Sequence, residues 1–561
     1  MPWRTPIGPL LAALALALGL AACGGDEESA SPTVTGTPAV AISPFPNVTL
    51  PPLSFSPTAT PPNRARVIDL ATSPPAVTIF AADKGDLRHD IPSMAVGDFN
   101  DDGLNDLLIG ARFGDGPDNQ QEDMGEAYVI FGRRELPQTI DIAKGEQDIT
   151  IYGEKPGDSL GMGVAALDFN DDGVDDIVVS SPMSEGILDP DYRTDRGAVY
   201  VIFGRKDLPK TIDIANVEGP QDVTVIAAEG FSLLGDSMTT GDVNGDGISD
   251  LIMGAPFAGR EPGAPHGGPR TELGEVYAVF GSKSPESIVH IPERQEDFTV
   301  VGPEQYSELG DAIAAGDVNG DGIDDLIITG EATDWPDRAN VGVVYVVYGA
   351  EDLGGLRELA KNQQDVTIVG RYADDALGFC ATSGDVNDDG IDDILLVAQR
   401  GEGFGERNTS GEADLIFGSR KLKDTIDVLK SEQDVTIAGA HAHDLLTSCA
   451  ASHDVNGDGV DDILLGTGFA APDLSRDGVG EAYVIFGRKD LPANVDLATD
   501  ADVLLIGIEP RDRLGSAVSA GDLNGDGKEE LLLTAPDAGG PDNSRPEAGE
   551  IYIVTSLQQG E

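Results

Sequence analysis

Oxygen-bearing side chains recur along this chain in one fixed pattern, Asp-x-Asn-x-Asp-Gly-x-x-acid, seven times over. The side chains at positions one, three, five and nine are Asp98, Asn100, Asp102 and Asp106 in the first copy. The second has Asp168, Asn170, Asp172 and Asp176, and the third Asp242, Asn244, Asp246 and Asp250. Asp317, Asn319, Asp321 and Asp325 form the fourth; Asp385, Asn387, Asp389 and Asp393 the fifth; Asp454, Asn456, Asp458 and Asp462 the sixth. The seventh is Asp522, Asn524, Asp526 and Glu530, where Glu530 is longer by one methylene and Lys528 adds a positive charge. Alternating carboxylate and amide oxygens on a Gly turn are the ligands a hard divalent cation takes. Up to seven Ca2+ ions are therefore expected, with the seventh turn the poorest fit.

An EF-hand would need a bidentate acid at loop position twelve, leading into a helix. Position twelve is instead Ile109, Val179, Met253, Ile328, Leu396, Leu465 and Leu533. The residues after position nine form a short apolar run ending near Gly-Ala or Ala-Pro, as in Ile252-Met253-Gly254-Ala255-Pro256. The cation turn must then join two strands.

The first Asp of successive copies is separated by 68 to 75 residues. A constant period of that size marks a repeat architecture. Each repeat holds four strand-like stretches; in the fourth they are 311–316, 325–329, 342–349 and 365–370, rich in β-branched residues and bounded by Gly. Seven such units predict an all-β, seven-bladed β-propeller of four-stranded antiparallel blades. The last repeat stops at its third strand, Gly549–Val554, whereas Val67–Leu70 and Ala76–Phe80 have the pattern of fourth strands. The N-terminal segment is expected to complete the last blade and close the ring.

Leu160-Gly161 before the first strand, the Asp-Asn-Asp-Gly turn, Gly254-Ala255-Pro256 and Gly274-Glu275-Val276-Tyr277 resemble FG-GAP repeats. Those repeats build the calcium-binding propeller of integrin α subunits and of many bacterial surface proteins. The resemblance runs from about residue 67 to 556, and it implies a further main-chain ligand from position seven, Val174 in the second copy. It departs in repeat six, which has Leu445-Leu446 in place of Leu-Gly and His453 in place of Gly. Related repeats accompany a phospholipase in some families, so a propeller hydrolase or lyase is the alternative to a binding module; a scaffold for an envelope complex is a third reading.

Ahead of the repeats, residues 1–23 read as a signal peptide. Arg4 precedes an apolar run from Leu10 to Leu20, and Leu20-Ala21-Ala22-Cys23 resembles a lipobox with Cys23 as the lipidated residue. Residues 24–65 are rich in Pro, Ser and Thr and read as a flexible tether; residues 66–561 form the propeller. With 99 Asp plus Glu against 36 Lys plus Arg, a formal charge of −63 argues against a nucleic-acid partner. The expectation is an exported, lipid-anchored, monomeric calcium-binding propeller on the extracellular side of the cell envelope. It would meet the membrane only through its anchor and take a protein or glycan ligand as a cell-surface binding or adhesion module.

Other motifs read as structural. Gly157-Asp158-Ser159-Leu160 spells a serine-hydrolase block but is matched by Gly235-Asp236-Ser237-Met238 in the next repeat, and Lys84-Gly85-Asp86 falls in the same turn. No catalytic residues are assigned. Cys380 and Cys449 occupy equivalent positions in adjacent repeats, where rotational symmetry would point their side chains the same way; two buried thiols are expected. His441 and His443 belong to an exposed loop, and His453 stands next to a calcium turn. The basic pairs Arg133-Arg134, Arg205-Lys206, Arg420-Lys421 and Arg488-Lys489 are read as balancing nearby carboxylates. The second-to-third strand connections vary most, so the ligand is expected on the face opposite the calcium turns, at Trp335, Tyr192 and Phe257.

Overall fold

In a computed structural model the described residues are 66–87, 93–184, 196–216, 221–227, 232–259, 272–291, 294–404, 407–471, 476–555 and 557. The expected signal peptide, Cys23, the tether, Tyr192 and most of the 257–273 connection lie outside them. The described residues form seven sheets, each with four antiparallel strands, the blades of a β-propeller. In blade 1 the strands run Met94–Gly97, Asp106–Ala111, Glu126–Ile130 and Ile149–Tyr152 from first to fourth. The second and third strands are buried at every position, which is why their sequences are continuous apolar runs rather than alternating ones.

Each blade carries a fifth strand that the sequence reading did not separate from the fourth. In blade 1 it is Thr211–Asp213, a segment preceding the fourth strand of blade 2, and it pairs in parallel with Ile149–Tyr152. Three residues with one buried side chain between two exposed ones are too short to show a period. Their role is to cover the outer edge of the preceding blade.

The ring closes as expected, with one addition. Val77–Phe80 is the fourth strand of blade 7, antiparallel to Glu550–Val554, and Arg66–Asp69 is the fifth strand of blade 6, parallel to Val503–Ile506. The hydrophobic core lies between blades. Seven clusters each draw on two neighbours; Leu532 and Ile551 of blade 7, for example, pack with Leu107, Ile109 and Tyr128 of blade 1.

A Gly before each third strand lets the next turn approach. Gly125 has φ +81°, and a Cβ there would lie 2.0 Å from the Leu160 nitrogen. Gly197 stands in the same relation to Leu234, and Gly274 to Leu309. The structure therefore superposes Leu160 on Leu234, and Ser159 on Leu233, both with positive φ. The match drawn between Gly157-Asp158-Ser159 and Gly235-Asp236-Ser237 is four residues out of register. Ser159 is buried, its hydroxyl 3.7 Å from the Met183 sulfur.

The cysteine expectation is overturned. Cys380 and Cys449 form a disulfide, with Cα atoms 6.3 Å apart. Both lie on first strands, Leu377–Gly384 and Ser448–His453. First strands of adjacent blades converge towards the axis, so equivalent positions come within bonding reach even though symmetry relates their directions.

Candidate metal turns and the opposite face

The seven Asp-x-Asn-x-Asp-Gly turns are built by hydrogen bonds the motif itself supplies. Asp98 accepts from the backbone N–H of Asp102 at 3.1 Å and of Gly103 at 2.8 Å, and Asp102 accepts from Leu104 N–H at 3.0 Å. Asp168, Asp242, Asp317, Asp385, Asp454 and Asp522 bind their own turns in the same way. Position five is exposed, whereas position nine is fully buried at the head of the second strand.

Asp106 accepts from Phe99 N–H, from the Asn100 amide and from Gly132 N–H at 2.9 Å. Gly132 follows the third strand of its blade, and a Cβ there would sit 2.1 Å from the Asn105 carbonyl. Gly204, Gly281, Gly349, Gly418 and Gly487 donate identically to Asp176, Asp250, Asp325, Asp393 and Asp462. These Gly residues, each preceded by Phe or Tyr, were legible as a recurring dipeptide but were not assigned a role. Their bonds place the third-to-fourth turns on the calcium-turn face, as strand alternation predicts.

Burial, with the neighbouring carboxylates at positions one and five, raises the position-nine acids. Asp106, Asp176, Asp250 and Asp462 are pushed to about 7, Asp325 and Asp393 to about 8, and Glu530 to about 7. Among the described residues no Lys or Arg pairs with any of them. Lys206 and Lys489 reach instead to the exposed position-four acids Asp101 and Asp388, both at 2.9 Å, and Lys283 to Asp171. Arg133, Arg205 and Arg488 pair with Asp148, Asp222 and Asp502, so these basic residues balance local carboxylates as expected. Buried carboxylates held by neutral donors, beside two further acids and an amide oxygen, are a donor set suited to a hard cation.

Position eight was missed. The Asp175 carboxylate accepts the Asp98 N–H of the preceding blade at 2.8 Å, and Asp324, Asp392 and Asp461 accept likewise from Asp242, Asp317 and Asp385. These bonds chain one cation turn to the next. In blade 7 position eight is Glu529, and it pairs with His453 at 3.1 Å, which gives that His its structural place beside the turn. Two neighbouring histidines in sequence are elsewhere: His443 meets Thr409, and His441 stands near Asp444 and Glu481.

On the opposite face, Trp335 is not displayed. It is half-buried, hydrogen-bonded through its backbone to Arg338, and packed against the blade 3–4 cluster. Loop burial leaves no periodic trace in sequence, so this could not be read in advance. Phe257 is also half-buried. Among the described residues the large aromatic side chains most exposed there are Tyr306, Tyr372 and Phe469. The same face is laced by Arg–Asp clamps. Arg338 binds both oxygens of Asp427 at 2.9 Å and the Gly370 carbonyl at 2.6 Å, and Arg407, Arg476 and Arg545 repeat the arrangement on Asp496, Asp69 and Asp141.

With this geometry in view, the comparison with known families is direct. Five blades match the FG-GAP repeat. The matched segments are 92–129, 160–202, 234–279, 309–347 and 514–554, in blades 1 to 4 and 7. The chain is similar to phosphatidylinositol-glycan-specific phospholipase D of Bos taurus, 31% identical over 45% of this chain and 27% of the relative. The Homo sapiens protein of that name is 29% identical over 54% of this chain and 34% of its own length. Integrin alpha pat-2 of Caenorhabditis briggsae is 28% identical over 48% of this chain and 20% of the relative. The chain thus spans about a third or less of the curated relatives it matches. Among the described residues no helix is long and apolar enough to cross a membrane.

Proposed function

We propose that this FG-GAP propeller is a calcium-stiffened binding or adhesion module, exported and held outside the cell by a lipid on Cys23. One observation carries the calcium reading. The same buried, neutrally solvated acid recurs in all seven blades beside two further carboxylates of its own turn. Positions one, three, five and nine would hold the ion, with the position-seven carbonyl as a fifth donor. Each Asn amide now donates to position nine through its nitrogen; turning it about its last bond would present the oxygen. When bound, the ion supplies positive charge that the protein's own side chains do not. The similarity to an integrin α chain supports an extracellular adhesion role.

The ligand face is the one opposite the calcium turns. Exposed Tyr306, Tyr372 and Phe469 replace Trp335 as the anchors, because aromatic side chains free to be buried by a partner dominate recognition. The experiment is capture of glycans and extracellular proteins by the purified propeller in calcium. Replacing all three aromatics by Ser should abolish capture without moving the calcium-dependent melting temperature. Equal capture by that variant would place the ligand elsewhere.

A further inference from the structure

The FG-GAP propeller carries a cluster of ligating side chains far in type from the seven turns. His441, Asp444 and Glu481 each offer one ligand atom, and these atoms all lie within 4.8 Å of one another. Asp444 lies in the turn entering blade 6, and Glu481 is the first residue of that blade's third strand. They are 5% and 1% exposed, while His441 is open to solvent. Burial at this depth normally requires every polar atom to be partnered. Asp444 Oδ2 is buried and has no hydrogen-bond partner. Glu481 accepts from the Tyr483 hydroxyl, and Arg476 nearby is committed to Asp69 and the Gly507 carbonyl.

The other blades provide an internal comparison. An Asp before the first strand and a Glu opening the third recur as Asp86 with Glu126, Asp375 with Glu412, and Asp512 with Glu550. The residue three before the Asp is Asp83, Tyr372 and Glu509 in those blades, and only blade 6 has an imidazole there. In blade 5 the Glu of the pair already has a cation, because Arg371 binds Glu412 at 2.8 Å, and Asp414 beside it at 3.3 Å. Blade 6 has the acid pair with Ala440 at the position of Arg371, and one residue further on a side chain that ligates metals.

We infer that His441, Asp444 and Glu481 form a separate site for one divalent transition ion of the Zn2+ class, on the face opposite the calcium turns. One imidazole nitrogen with two carboxylate oxygens suits such an ion and leaves a coordination position open on the solvent side, where His441 lies. Calcium, which takes six to eight oxygens, is poorly served by three donors of which one is nitrogen. The two ions are therefore sorted by donor chemistry to opposite faces.

The test is titration of the purified propeller with Zn2+ in saturating calcium, read by calorimetry, and with Co2+, read by visible absorption. The wild type should take up one tight equivalent of Zn2+ and give tetrahedral-type Co2+ bands. His441→Ala and Asp444→Asn should each weaken that equivalent by at least about tenfold, since disturbing even an outer-shell partner costs that much. His453→Ala should bind as wild type does. Calcium-dependent melting serves as the folding check, and His441→Ala is expected to pass it because the side chain is exposed. No tight equivalent in the wild type, or one indifferent to His441→Ala in a folded variant, would overturn the assignment and leave His441 as a simple ion-pair partner of the two acids.

Discussion

Each position-nine acid is a buried carboxyl enclosed among neutral N–H donors, and that sets the sign of the protein's pH response. Without calcium these groups hold their protons up to about 7 or 8, against an ordinary carboxyl value of 3.8 for Asp. A carboxyl raised on folding contributes stability that is fully present below its unfolded value and is lost as pH rises through its folded value. In chelator the melting temperature should therefore fall as pH is raised from about 5 to about 8. In saturating calcium the trend should reverse, because protons then compete with the ion for its ligands. Scanning calorimetry across that range in the two buffers checks both signs; parallel trends would remove the ion from these turns. A second residue-scale test concerns Arg338 and Asp427, whose side chains are 7% and 5% exposed. Arg338→Ala should cost about 1–3 kcal/mol in denaturant unfolding, because Asp427 loses its buried two-pronged partner and keeps only the exposed Lys430 at 3.0 Å. Combining it with Asp427→Asn should recover part of the loss.

At the scale of the element, the strands that close the ring come from the far end of the sequence. Deleting residues 66–80 removes the fourth strand of blade 7 and the fifth of blade 6, and exposes two sheet edges. A severe drop in melting temperature is expected, and an unchanged one would contradict the closure. The Cys380–Cys449 bridge joins two neighbouring first strands across 69 residues of sequence. Replacing both by Ser should cost about 2–4 kcal/mol, read by unfolding with and without reductant. The blades and their Asp-x-Asn-x-Asp-Gly turns were legible because each is written locally and repeated seven times, and the closure because the last repeat lacks a fourth strand that the first segment supplies. Thr211–Asp213 was not legible as a strand because three residues carry no period. The disulfide was misjudged because symmetry speaks of direction, while distance depends on how sharply first strands converge. Trp335 was expected to be displayed and is half-buried, because burial in an irregular loop is decided by what packs over it.

At the scale of the whole molecule, the seven turns lie on one face, and position-eight acids link four blade junctions through backbone bonds and a fifth through Glu529 and His453. Stability from calcium should then be collective: many sites of about 10⁻⁴ to 10⁻³ M affinity, each adding by mass action to the same closed ring. The opposite face is left to the variable connections, the exposed aromatics and the Arg–Asp clamps, so ligand capture and calcium stiffening should be separable by mutation. The most direct test of the account is the melting temperature of the propeller titrated with calcium, alongside the number of ions bound at saturation by equilibrium dialysis. The account predicts a rise of many degrees that continues into the millimolar range, with six to seven ions bound. A melting temperature indifferent to calcium and to chelator, with no ions retained, would contradict it.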